Sequence, residues 1–159
     1  MSRLSVLFLL VAALACPIIL VPSSVTAQTV LGTPDEAKAL VEEAAAYYKK
    51  AGRDKALADF NDKQGKFIKK DLYIFSIDLD GNTLAHGDNP KLVGKNLLEV
   101  KDLNGVFFFK EFIKMAKTGE GKGWVNYQWP HPDTKKPRDK ASYIVRVEDK
   151  VLLGCGAYK

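Results

Sequence analysis

Leu72-Tyr73-Ile74-Phe75-Ser76-Ile77-Asp78-Leu79-Asp80-Gly81-Asn82-Thr83-Leu84-Ala85-His86 is the stretch on which the fold turns. Residues 72–77 are rich in aromatic and β-branched side chains, which suit a pleated, half-buried surface. Asp80-Gly81 is a hairpin signal, because glycine reaches positive φ without a steric cost. Residues 83–86 can then return as the paired strand. The middle of the chain is therefore predicted to be an antiparallel hairpin.

Upstream the period is helical. Thr33 can cap, Pro34 fits the first helical position and Glu36 completes a capping box. Ala37, Leu40, Val41, Ala44, Tyr47, Tyr48 and Ala51 follow the i, i+3, i+4, i+7 spacing of one buried stripe, which predicts a long amphipathic helix ended by Gly52. Asp54 can cap a shorter helix carrying Leu57 and Phe60. Further upstream, residues 4–21 contain no charged side chain, follow Arg3 and lead to Ser23-Ser24-Val25-Thr26-Ala27. That is the pattern of a secretory signal peptide cleaved after Ala27. An uncleaved membrane anchor is the alternative, but Pro17 and Pro22 would each remove a backbone donor from a spanning helix. A lipidated Cys16 is the lesser option.

Downstream, residues 96–103 suggest a short helical piece and residues 106–117 a further amphipathic helix offering Phe108, Phe109, Phe112 and Met115 for packing. Three strands are expected at residues 124–129, 141–147 and 151–158, the last two joined by Glu148-Asp149-Lys150. Residues 130–140 read as a polar loop. Gly119-Glu120-Gly121-Lys122-Gly123 follows no strand and is not a phosphate loop. The expected class is α+β.

The 159 residues are 27% charged and 47% hydrophobic, which suits one globular domain and excludes a large enzyme. Loss of residues 1–27 would leave 132 residues and, with Arg3 gone, lower the net charge from +5 to +4. So small an excess, spread along the chain, gives no case for nucleic acid. Cys155 is then the one remaining cysteine, and its apolar neighbours Val151-Leu152-Leu153 predict a buried thiol.

The hairpin stretch, together with Asn89-Pro90, Val93-Gly94-Lys95-Asn96, Gly123-Trp124-Val125-Asn126-Tyr127-Gln128-Trp129-Pro130, Lys140-Ala141-Ser142-Tyr143 and Gly154-Cys155-Gly156-Ala157-Tyr158, resembles a single Cache domain. The resemblance covers residues 35–159, with 28–34 as a lead-in. Cys155 stands where a serine is more usual. The resemblance implies a PAS-like antiparallel five-stranded sheet behind a long N-terminal helix, in an extracytoplasmic module that binds small molecules. Relatives usually form the sensing part of chemoreceptors and histidine kinases. As no signalling segment follows Tyr158-Lys159, a separate membrane receptor, kinase or transporter is the expected partner of a periplasmic or secreted protein.

Strand alternation puts Tyr73 with Phe75 on one face, and Tyr127 with Trp129 on one face. A small-ligand pocket needs apolar walls and a few orienting polar groups. Tyr73, Phe75, His86, Tyr127, Trp129, Lys140 and Tyr143 are the candidate lining, with Arg146 as a second possible cation and Trp124 facing away. Hydroxyl and N–H donors beside one cation suit an organic carboxylate. His86 is either such a donor or a hydrogen-bonded residue at a strand end, and His131 is expected to be solvated. No catalytic residue, metal or cofactor is expected: Ser76 and Ser142 lack a nucleophile elbow, two histidines and one cysteine are too few for zinc, and Asp78-Leu79-Asp80 reads as a turn, since Thr83 and Asn89 break the calcium-loop pattern. The alternative function is a protein-interaction module, pairing as a homodimer through the exposed part of the long helix.

Overall fold

The computed structural model describes residues 30–159; the expected leader lies outside the described residues. Helix α1 spans Pro34–Ala51, with the Thr33–Glu36 capping box formed in both directions and Gly52 accepting the turn at φ 84°. Helix α2, Arg53–Phe60, follows at once. Strands β1 (Ile68–Lys69), β2 (Leu72–Asp78) and β3 (Thr83–His86) precede helix α3 (Phe108–Ala116), and β4 (Lys122–Pro130), β5 (Pro137–Glu148) and β6 (Val151–Tyr158) complete the chain.

All strand pairs are antiparallel, in the order β2-β6-β5-β4, with β1 and β3 both on the free edge of β2. The sheet thus has six strands where five were expected. The extra one is a two-residue piece that pairs Ile68 with Tyr73 around a tight turn at Lys70, too short to leave a periodic signal. The three long strands lie where alternation placed them, although β5 begins at Pro137, inside the expected polar loop.

Sheet alternation creates two cores. One face carries Leu72, Ile74, Tyr143, Leu153 and Cys155 and is covered by Leu40, Val41, Ala44 and Tyr48 of α1 and Phe60 of α2. The other carries Phe75, Ile77, Val125, Tyr127, Ile144 and Leu152 beneath Phe108, Phe109, Phe112 and Ile113 of α3. Full burial of each large apolar side chain contributes about 1.5–3 kcal/mol before entropy is counted, so both helices are held by their stripes and not by propensity.

The helical piece expected at residues 96–103 does not form. Asn96 bridges to Asn82, its amide donates to the Asp80 carbonyl and its Oδ1 accepts from Leu98 N–H, which commits the backbone to the β2–β3 hairpin. Asp78 closes that hairpin by accepting from Asp80 and Asn82 N–H, so its carboxylate is spent on the turn. Asp102 plays the same part before α3, accepting from Asn104, Val106 and Gln128 N–H and tying the connection to β4.

Two glycines of β6 shape the α3 face. A Cβ at Gly154 would meet the Phe75 ring at 2.2 Å, and one at Gly156 would meet Lys140 Cε at 2.5 Å. Both side chains therefore lie flat across the strand. Gly154→Ala is expected to lower the unfolding free energy by about 1–3 kcal/mol, the usual cost of overpacking; urea unfolding measures it, and an unchanged midpoint would mean that Phe75 moves aside freely.

Candidate ligand site beneath helix α3

The site is assembled from four strands. Tyr73 and Phe75 leave β2 on the α3 side, and His86, the last residue of β3, pairs opposite Phe75. Its ring lies 4.9 Å from the Tyr73 ring and 6.2 Å from that of Trp129. Phe108 stacks on Tyr127 at 4.7 Å with only 17° between the planes, and meets Trp129 edge-on at 5.5 Å. Among these rings is a cavity of about 10 Å³, bounded by Tyr73, Phe75, His86, Phe108, Phe109, Phe112, Tyr127 and Trp129. That is room for about one water molecule.

Lys140 carries the charge. It stands on β5 opposite Tyr127 and Tyr158 and is 1% exposed. Its Nζ donates to the Tyr73 hydroxyl at 2.9 Å and lies 4.1 Å and 4.4 Å from the ring centres of Tyr73 and Tyr158. Among the described residues no carboxylate forms an ion pair with it. Two aromatic faces and one hydroxyl replace only part of an ammonium's hydration, and an unpaired buried charge costs several kcal/mol. Burial accordingly pushes the Lys140 pKa down to about 8.

Asp71 and Asp88 favour the charged form of Lys140 from a distance without forming an ion pair, and the titratable groups at the cavity are neutral. His86 Nδ1 accepts from Asn89 N–H at 3.0 Å, which leaves the ring proton on Nε2. Burial, reinforced by the charge of Lys140, pushes the His86 pKa down to about 3, so the imidazole is uncharged at neutral pH. Burial raises the Tyr73 hydroxyl well above its ordinary value. Tyr127 is raised for the same reason and shares a 2.9 Å hydrogen bond with Ser142. The imidazole and the tyrosine hydroxyls thus share the cavity wall with apolar rings, and the Lys140 ammonium adjoins that wall through Tyr73 and is not itself among the lining residues. Cys155 lies on the opposite face, fully buried, its thiol pushed up to about 12 by burial.

Six of the seven residues singled out from the sequence lie on this face; Tyr143 does not. Its odd position in β5 turns it to the α1 side, where it meets Trp124 at 5.1 Å and lies under Lys38. Arg146 is also remote, six residues along β5 from Lys140, with its N–H on the Gly121 carbonyl. His131 corrects another expectation: it is 3% exposed, packed 4.7 Å from Tyr158 with Nδ1 accepting from Asp133 N–H, because Tyr158 and the start of β5 close over it. Sequence reasoning gave Tyr158 no site role, weighed Ser142 only as a nucleophile and took Phe108, Phe109 and Phe112 as packing alone. The alternation of Gly154, Gly156 and Tyr158 along β6 is the signal that could have found the first.

A family model described as a Cache domain matches residues 35–159, nearly all of the described chain. The chain belongs to the Cache domain family. Solved Cache relatives agree in fold. A methyl-accepting chemotaxis protein from Vibrio parahaemolyticus superposes with a TM-score of 0.67 at 26% identity, over 78% of this chain and 86% of that one. A Cache chemosensory domain described for carboxylic acid recognition gives 0.60 at 27% identity, over 78% and 86%. In sequence, the chain is 36% identical over 89 residues to the methyl-accepting chemotaxis protein McpP of Pseudomonas putida, a match covering 55% of this chain and 16% of that receptor. The chain thus spans less than a fifth of the length of the curated relatives it matches, a chemoreceptor and a sensor histidine kinase.

The Lys140 charge has a measurable signature in this Cache domain. A lysine pKa that is lower folded than unfolded means that the folded state binds fewer protons between about 8 and 10.5, so this group destabilises the fold at low pH and the penalty fades as pH rises through that window. Lys140→Met removes the penalty at every pH. The variant is expected to be the more stable ligand-free protein at pH 7, with the gap closing above pH 8. Urea unfolding at stepped pH checks this, and a gap that stays constant would show that the ammonium is already solvated.

Proposed function

We propose that this Cache domain is an extracytoplasmic sensor that binds a short organic carboxylate without transforming it, and that occupancy is read by a membrane receptor, kinase or transporter. The observation that carries the reading is the buried Lys140 ammonium with no carboxylate partner. A ligand carboxylate supplies the missing charge, accepting from Nζ, from His86 Nε2 and from the Tyr73 hydroxyl through charge-assisted bonds. Phe75, Tyr127, Trp129 and the phenylalanines of α3 then enclose its alkyl end. The carboxylic acid recognised by the similar chemosensory domain supports this ligand class, and the similarity to a chemoreceptor and a sensor kinase supports the kind of partner.

The cavity of about 10 Å³ is too small for acetate, so binding must move α3 and Trp129 outward. A ligand that has to displace a helix is coupled to the conformation of the domain, as a sensor requires. Export through the leader at residues 1–27 belongs to the proposal. Among the described residues no helix is long and apolar enough to cross a membrane. The α1 stripe is spent on the domain's own sheet, leaving Lys38, Glu42, Glu43, Lys49 and Lys50 outside; we therefore favour ligand binding over pairing through that helix.

Isothermal titration with acetate, propionate, lactate and pyruvate, each beside its amide, tests the reading. At least one carboxylate is expected to bind while its amide does not, and Lys140→Met should weaken that binding at least 100-fold while the ligand-free variant gains about 1–2 kcal/mol of stability. Equal binding of acid and amide, or full affinity in the variant, would overturn it.

A further inference from the structure

Outside the chamber lies a second depression that the site does not account for. It has a volume of about 380 Å³, opens to solvent, and is bounded by Lys63, Asp88, Asn89, Lys91, Trp129, His131, Lys135 and the prolines beside His131. Three ammonium groups therefore face one carboxylate. None of the three lysines takes part in an ion pair among the described residues, whereas Lys55, Lys69, Lys70, Lys110 and Lys114 all do. Trp129 is the wall that this depression shares with the inner cavity. Charges on this rim act beyond that wall in both senses, Lys63 disfavouring a proton on His86 and the single carboxylate Asp88 favouring one on Lys140.

We propose that this depression is the port through which small anions reach the chamber, with Lys63, Lys91 and Lys135 concentrating them and Trp129 as the partition they pass. The proposal rests on the anion-binding reading of the chamber and adds to it a route and a rate. A concave surface of one sign with low-dielectric walls raises the local concentration of a counter-ion and its association rate by 10-fold or more, an effect that salt screens. The three lysines stand outside the cavity and make no contact that holds a ligand in place. They therefore act chiefly on association, with a smaller effect on dissociation from the part of their field that reaches the chamber.

Trp129 is its own reporter. The chain has two tryptophans, and Trp124→Phe on the opposite face leaves Trp129 as the sole indole. In that background Trp129 fluorescence is quenched with iodide and with neutral acrylamide, and propionate association is followed by stopped flow from low to high salt. The triple variant Lys63→Glu, Lys91→Glu, Lys135→Glu is compared with a control carrying the same change at Lys49, Lys50 and Lys122. The expected result is iodide quenching that exceeds its salt-screened level at least twofold and is lost in the port variant alone. Propionate association should fall at least tenfold at low salt in the same variant, a larger change than any rise in dissociation. Equal iodide quenching in all three proteins, or the same loss of rate in the control, would overturn the port. Should iodide preference appear and respond as expected while no carboxylate binds, the port stands and the carboxylate reading of the chamber falls.

Discussion

The Lys140 ammonium is held between two tyrosine rings in the middle of an antiparallel sheet, bonded to one hydroxyl and to no carboxylate. Proteins bury lysine reluctantly, because the charge loses its hydration. Much of the α3 face can be understood as accommodation of that one group. Gly156 has no side chain, so the lysine stem can lie across β6. Tyr73 and Tyr158 offer π faces and a hydroxyl. His86 is kept neutral by burial and by the lysine itself, so two adjacent cations never compete for the same space. Under the proposed function, an arriving anion supplies the charge that this arrangement lacks.

The two faces of the sheet serve different ends. The α1 face is a conventional core in which an alanine-rich helix lies close on Ile74, Leu153 and Cys155. The α3 face is built from rings that stack and tilt around a space little larger than one water. α3 is also the shorter cover, nine residues starting without a side-chain cap. Under the proposed function the ligand enters on this side, and the depression behind Trp129 lies beside the same wall.

Most of the architecture was legible in the residues. The capping box at Thr33, the stripe of α1, the Asp80-Gly81 turn and the three long strands each carry a local signal that tertiary packing reinforces. What was not legible arose from side chains acting at a distance. The helical piece expected at residues 96–103 gave way to Asn96, whose hydrogen bonds reach back to Asp80 and Asn82. β1 exists only because its neighbour is β2.

For the site, strand alternation by itself placed Tyr73 with Phe75 and Tyr127 with Trp129, since side chains two apart must share a face. Alternation within a strand cannot say which face of one strand adjoins which face of the next. That depends on register: Lys140 pairs with Tyr127 and Tyr158, and Tyr143 with Cys155, and these pairings send the first to α3 and the second to α1. His131 is buried for a similar reason, since only the folded β4–β5 connection brings Tyr158 over it. Composition and periodicity determined an α+β domain with aromatic strands and a lysine among them. Only the tertiary structure decided that this lysine stands unpaired inside the sheet, because whether a charge has a partner depends on residues far apart in the chain.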